Sequence, residues 1–403
     1  MPPTNTAANT LRAPLRFGVL GAAAINENAI VHPCFKSPQE AVIKALAARD
    51  RQRAEKYVEK FKLKECAIFD DYQSLLDTAD IDAVYIPSPN GLHYEWTMKA
   101  LKAGFHVLCE KPFASNAEEA RAMVAAARER GLVLMEAAHW FYHPFREKMR
   151  SIIASGQLGT LRHVYANFAF PGKPGEPREA KRGPMAIRYD AGLAGGCLMD
   201  CGWYALSCTR ALVGGEVPEV EWAEAQRWPH DPQIDEGMKA GLTFKTAGAS
   251  GTILCSYCVG AADGFAPRTI PGTSSPSGQA KGGPKHPLGP MRWDAEVTGT
   301  KAVMHAVNFG VPHAGNRIIV RSATDGTELL NESVDSGGFS TYDLMVLAFC
   351  SHVRQVRAGW VTSAEVFANT GQEPVRQMEI IDKIYTKAGL RPRTGPAGIF
   401  SKL

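Results

Sequence analysis

The 403-residue sequence has no uncharged apolar run approaching the length that a membrane-spanning helix needs. Neither sign of charge dominates: 45 Lys and Arg against 41 Asp and Glu leave a formal charge of +4. The basic residues are scattered, which excludes the clustered footprint of a nucleic-acid binder. Residues 1–14 are polar, include Pro2 and Pro3, and lack the apolar core of a secretory signal, so they read as a flexible leader. Nine cysteines is an odd count, which without an export signal predicts reduced thiols and not a disulfide framework. Cys255 and Cys258 have redox or metal spacing, yet they fall in an alternating strand-like run, where residues three apart point to opposite faces. Core packing is the better reading for them.

What is present suits a soluble globular chain: 45% hydrophobic, 21% charged, and long enough for two domains with their own cores. The last three residues, Ser401-Lys402-Leu403, spell a peroxisomal address. They predict a peroxisomal protein and an import receptor as partner, with the cytoplasm as the alternative.

From residue 15 onward, short apolar strands alternate with helices. Strands are expected at 15–20, 42–48, 67–69, 83–86, 105–109 and 132–136, and such alternation implies a parallel, doubly wound sheet. The first strand runs into Gly21-Ala22-Ala23-Ala24-Ile25-Asn26, a partial dinucleotide-binding turn in which Ala23 and Asn26 replace the second and third glycines. Small side chains there let a pyrophosphate approach the backbone at a helix start. The second strand ends at Ala48, followed by Arg49, which suits a ribose 2′-phosphate and predicts NADP over NAD. Asp50 is the residue that would reverse this preference if it took the strand's end. Ser88, Asn90, His93, Glu110 and Lys111 then fall along the carboxyl edge of the sheet, where doubly wound folds bind ligands. Pro112 cannot continue a central strand and biases Lys111 away from the helical region.

These features resemble the glucose–fructose oxidoreductase / inositol dehydrogenase / rhizopine catabolism (Gfo/Idh/MocA) family, together with three later stretches: Glu136-Ala-Ala-His-Trp-Phe-Tyr-His-Pro144, Gly195-Gly-Cys-Leu-Met-Asp-Cys-Gly-Trp-Tyr204 and Ile380-Ile-Asp-Lys-Ile-Tyr-Thr-Lys-Ala-Gly389. The resemblance implies a Rossmann-type NAD(P) domain over 15–142 and an α+β domain over 143–390 that carries a large, mostly antiparallel sheet. It also implies a homodimer or higher homo-oligomer. Tyr204, where many members carry histidine, is similar to the branch of NADP-dependent D-xylose 1-dehydrogenases and trans-dihydrodiol dehydrogenases. Two features depart from that branch: Phe141 replaces a common arginine, and the Gly/Pro-rich residues 261–291 form a longer connection with the composition of a mobile loop.

The resemblance makes Gly21, Ala23, Ala24, Ile25, Arg49, Ser88, Asn90, His93, Glu110 and Lys111 the cofactor-binding set. Lys111, Asp200 and Tyr204 become the catalytic set, and Trp140, Tyr142 and Asp200 contact substrate. Spacing alone favours Asp200 as a helix cap and Tyr204 as a core aromatic; the resemblance reverses that. A tyrosine pKa of about 10 is too high for a ready base, and a neighbouring ammonium lowers it. Tyr204 would exchange the hydroxyl proton with Lys111 assisting, Asp200 would hold a second hydroxyl, and Glu110 would orient Lys111. The implied reaction is hydride transfer between NADP and a CH–OH or CH–CH centre of a sugar, polyol or cyclic diol. A dinucleotide-sensing regulator is the non-enzymatic alternative, and transient oxidation driving elimination or hydrolysis is the other. His139 and His143 have i, i+4 spacing but no adjacent glutamate, so no metal is expected and chelators should leave activity intact.

Overall fold

The computed structural model describes residues 13–170, 186–257, 293–365 and 372–396. Most of the leader, most of the 171–190 loop, Cys258, the 261–291 insertion and the 401–403 address lie outside the described residues. The chain divides into two compact units. One runs to His139 and includes Tyr342–Val375 and the residues from Gly395 on; the other comprises Trp140–Thr341 and Arg376–Thr394.

In the first unit, β1 (Leu15–Leu20), β2 (Ala41–Ala47), β3 (Ala67–Phe69), β4 (Ala83–Ile86), β5 (His106–Cys109) and β6 (Leu134–Glu136) form one sheet. Its order is β3-β2-β1-β4-β5-β6 and every pair is parallel, the doubly wound arrangement expected from the sequence. β4 and β5 are buried along their whole length, as central parallel strands must be when helices cover both faces. The helix Ala117–Glu129 shows the local logic. Asn116 caps it by accepting the Glu119 amide at 3.0 Å, and its buried stripe of Ala120, Met123, Val124 and Ala127 keeps helical spacing. Truncating such a cap costs about 1 kcal/mol.

The sequence reading missed the helix Thr341–Arg357. A single second domain over 143–390 was expected, yet most of this helix belongs to the first unit. Phe349 packs on Phe17 of β1 at 5.6 Å between ring centroids. Lys36 pairs with Asp343 at 3.3 Å, Arg357 with Asp82 at 2.9 Å, and Arg354 with Glu40. None of these long-range partners has a local sequence signature.

In the second unit, β7 (Leu161–Ala169), β8 (Glu219–Trp228), β9 (Asp231–Phe244), β10 (Ala249–Ser256), β11 (Ala295–Gly299), β12 (Ala302–Val307), β13 (Arg317–Ser322) and β14 (Glu328–Glu332) form a second sheet. The order is β14-β13-β12-β11-β7-β10-β9-β8. Only the β7–β10 pair is parallel, so the mostly antiparallel expectation holds. The helix Trp203–Leu212 packs on β7 and β10 and is buried on every side; its one charged residue, Arg210, donates to Gln377 Oε1 at 2.9 Å, as a buried charge requires.

Two buried histidines make stability depend on pH. His106 Nδ1 accepts the Val133 amide at 3.0 Å and His143 Nδ1 accepts the Phe145 amide at 3.1 Å. Burial pushes each imidazole down to about 4, below the roughly 6.5 of an unfolded histidine. Their stabilisation is therefore complete above about pH 6.5 and is lost as pH falls towards 4. Melting temperatures of the wild type and His106→Gln, compared from pH 7.5 downward, should converge; a constant gap would contradict this.

Candidate functional site

On the first unit, the carboxyl ends of β1, β4 and β5 gather the expected cofactor residues. Gly21 follows β1 with a φ of +126°, a conformation that favours glycine. A Cβ there would lie 2.9 Å from the Tyr72 hydroxyl. Asn26, where the fingerprint has its third glycine, is fully buried and donates to the Gly21 carbonyl at 2.7 Å. The turn is thus closed by a side-chain amide. Ala23 and Ile25 are half-buried and Ala24 is exposed, and a π-helical turn, Glu27–Val31, follows.

The corner after β2 is sorted by its partners. Asp50 is spent as the cap of the helix Arg51–Lys60, accepting the Arg53 amide at 3.1 Å. Arg51 pairs with Glu55 and Asp70, both at 3.0 Å, and Arg53 donates to the Ala22 carbonyl at 2.6 Å. Arg49 is exposed, with no hydrogen bond or ion pair among the described residues. Burial raises the Tyr72 pKa, and the charges of Arg49 and Arg53 oppose that rise in part.

Around Lys111 the backbone is held from three directions. The Lys111–Pro112 peptide is cis. His93, fully buried, sets one ring nitrogen 2.8 Å from the Pro112 carbonyl and the other 2.8 Å from the Ser88 carbonyl. It therefore lies between the β4 and β5 ends, its single N–H donating to one carbonyl or the other, a role that one sequence position could not reveal. Burial lowers its pKa to about 4, against the opposing pull of the two carbonyls. Glu110 accepts the Tyr85 hydroxyl at 2.7 Å and the Lys111 amide at 3.2 Å. Glu136, at the end of β6, accepts the Phe113 amide at 2.8 Å; its part here was not foreseen. Lys111 is half-buried, and Asn90 opens a short 3₁₀ turn.

These residues fit a dinucleotide. The order reversal between β1 and β4 is where doubly wound sheets bind nucleotides. The Ser88 hydroxyl and the Asn26 side-chain oxygen are buried there without a hydrogen-bond partner among the described residues, and a buried polar atom needs one.

On the second unit, Asp200 lies inside a π-helical turn, Leu198–Gly202, that leads into the helix carrying Tyr204. Asp200 is therefore not an N-cap. Its carboxylate accepts Arg188 Nε at 2.5 Å and lies 3.5 Å from the Tyr257 hydroxyl. Arg188 had no place among the expected residues; it lies in the short 3₁₀ turn Ala186–Tyr189. The Asp200 charge raises the Arg188 pKa, and burial beside Asp200 raises that of Tyr257. Tyr204 is 4% exposed. Trp203, Trp293 and Phe168 surround its ring at 5.1, 5.1 and 5.5 Å between centroids, each edge to face. Trp140 is buried, and its indole donates to Ser207 Oγ at 3.0 Å. Ser207 in turn donates to the Tyr204 carbonyl at 2.9 Å. Tyr142 is half-buried, and Phe141 lies beneath the Arg146 guanidinium at 4.7 Å. Among the described residues no cluster of His, Cys, Asp or Glu could hold a metal, and no helix is long and apolar enough to cross a membrane.

Comparison with known proteins agrees with this architecture. Residues 15–138 match the GFO_IDH_MocA oxidoreductase family with an NAD-binding Rossmann fold, and 147–304 match the GFO/IDH/MocA C-terminal domain. The chain is 37% identical to D-xylose 1-dehydrogenase (NADP(+)) 2 of Haloferax volcanii, over 60% of this chain and 70% of that protein. It is 33% identical to trans-1,2-dihydrobenzene-1,2-diol dehydrogenase of Sus scrofa, over 60% and 68%. Among solved structures, a 3-ketoreductase from Actinomadura kijaniata in complex with NADP and TDP-benzene shares the fold, with a TM-score of 0.72 at 24% identity, over 95% of this chain and 100% of that one. The chain thus belongs to the Gfo/Idh/MocA family and is an NAD(P)-dependent oxidoreductase.

Proposed function

We propose that the protein is an NADP-dependent dehydrogenase or reductase acting on a CH–OH centre of a sugar, polyol or cyclic diol. The observation that carries this reading is the placement of Lys111 at the carboxyl end of β5, where Glu110 holds its amide, His93 lies against the Pro112 carbonyl and Glu136 holds the Phe113 amide. Such triple anchoring suits a group whose position matters to within an ångström. The cofactor supplies the hydride acceptor or donor; the protein's residues handle the proton and the geometry.

In this reading Tyr204 exchanges the hydroxyl proton. Lys111 hydrogen-bonds the reacting oxygen and contributes the positive charge that favours a phenolate. Asp200 holds a neighbouring hydroxyl, and Arg188 fixes the direction of that carboxylate. Tyr142 supplies apolar surface, and the buried Trp140 holds Ser207, which bonds the Tyr204 carbonyl. The names of relatives support this substrate class: D-xylose for one, a dihydrobenzenediol for another. Arg49 selects NADP by pairing with the 2′-phosphate, since Asp50, Arg51 and Arg53 have other partners. Nicotinamide absorbance should change with NADP and at least one of D-xylose, a polyol and a trans-dihydrodiol. Absence of any change across that panel, in both directions, would overturn the reading.

A further inference from the structure

The turn that carries Asp200 and leads to Tyr204 has no local cap. Cys197, the residue before it, makes no side-chain capping bond, so the first amides of the turn need partners from elsewhere. One comes from β9. Asp235, fully buried, accepts the Leu198 amide on Oδ2 at 2.6 Å. Its other oxygen accepts the Tyr385 hydroxyl at 2.9 Å and Arg393 Nη2 at 2.7 Å. Arg393 is 4% exposed and follows the helix Gln372–Lys387. Its guanidinium lies over the Tyr385 ring at 4.3 Å, and Nη1 donates to the Gln233 carbonyl at 2.6 Å. The same three side chains fill the space beside Gly196, where a Cβ would strike Asp235, Tyr385 and Arg393. Tyr257 donates to the Gly196 carbonyl at 3.1 Å.

We propose that Asp235, neutralised by Arg393, is a positioning residue that caps the Leu198–Gly202 turn from a distant strand and so sets where Asp200 and Tyr204 project. The role of the pair rests on the reading of Asp200 and Tyr204 given above; the capping itself does not. A carboxylate is suited to the task because a helix start favours negative charge. In a dry site that carboxylate needs an opposite charge, and Arg393 provides it. The residues after the closing helix thereby serve the reaction without touching substrate.

Hydrogen–deuterium exchange of the full chain tests the capping directly. In Asp235→Asn the amides of residues 197–202 should exchange about tenfold faster, the loss expected for one charged hydrogen bond. Arg393→Lys should exchange more slowly than Arg393→Met. Tyr385→Phe removes a single donor and serves if the Asp235 variant does not fold. Turnover of the best substrate in the sugar and diol panel should fall about tenfold in Asp235→Asn and Arg393→Met, with the dinucleotide KM within about twofold of wild type, and Arg393→Lys should recover part of it. Unchanged exchange overturns the proposal whatever the activity. Faster exchange with wild-type turnover, in a protein that Tyr204→Phe inactivates, overturns the positioning role alone. Wild-type turnover in Tyr204→Phe instead overturns the functional reading, and the exchange data still decide the capping.

Discussion

Tyr204→Phe and Lys111→Ala should each lower turnover by ~10²-fold or more, the contribution of a positioned acid–base group. The two losses should not add, because both substitutions interrupt the same proton transfer. Tyr204→Phe removes one oxygen and keeps the ring. The edge-to-face contacts with Trp203, Trp293 and Phe168 therefore survive, and the melting temperature should stay close to wild type. Lys111→Ala leaves the main-chain bonds to Glu110 and through Pro112 to His93 in place, so the cofactor should still bind. Steady-state kinetics with a fluorescence titration of NADPH separates the two effects. Near-wild-type turnover in either variant removes that residue from the chemistry.

The second large effect concerns Arg49. A charge-assisted bond to a phosphate contributes roughly 1.5–3 kcal/mol. Arg49→Ala should therefore raise the NADP KM by about 10- to 100-fold. The NAD KM should change little, since NAD lacks the group that Arg49 would hold. The corner leaves no obvious substitute: Arg51 is committed to Glu55 and Asp70, and Arg53 to the Ala22 carbonyl. A wild-type enzyme that prefers NAD, or an Arg49→Ala variant that loses both cofactors equally, would contradict the assignment.

The first unit was legible because its signals are local. Apolar runs of a few residues, broken by a proline after β4 and by a charged residue after β5, locate these strands and the edge beyond them. Capping chemistry at Asn116 and Asp50 is equally local. What stayed hidden depends on contacts between residues far apart in sequence. Arg188 meets Asp200 across a poorly patterned loop. Asp235 reaches Leu198 from 37 positions away and Arg393 reaches Asp235 from 158. The helix Thr341–Arg357 follows the second sheet in sequence, yet it lies against β1 through Phe17 and Phe349. Asp200 itself was expected around an ordinary helix start, and the π-helical turn that carries it has no sequence signature.

One measurement bears most directly on the central claim that this is a hydride-transferring enzyme run by Lys111 and Tyr204. It is the transfer of deuterium from a C-deuterated sugar or diol to NADP, followed by mass spectrometry of the reduced cofactor, in wild type and both variants. The wild type should yield labelled NADPH, and each variant about a hundredth as much. Label retained in the substrate, or equal labelling by all three proteins, would contradict it.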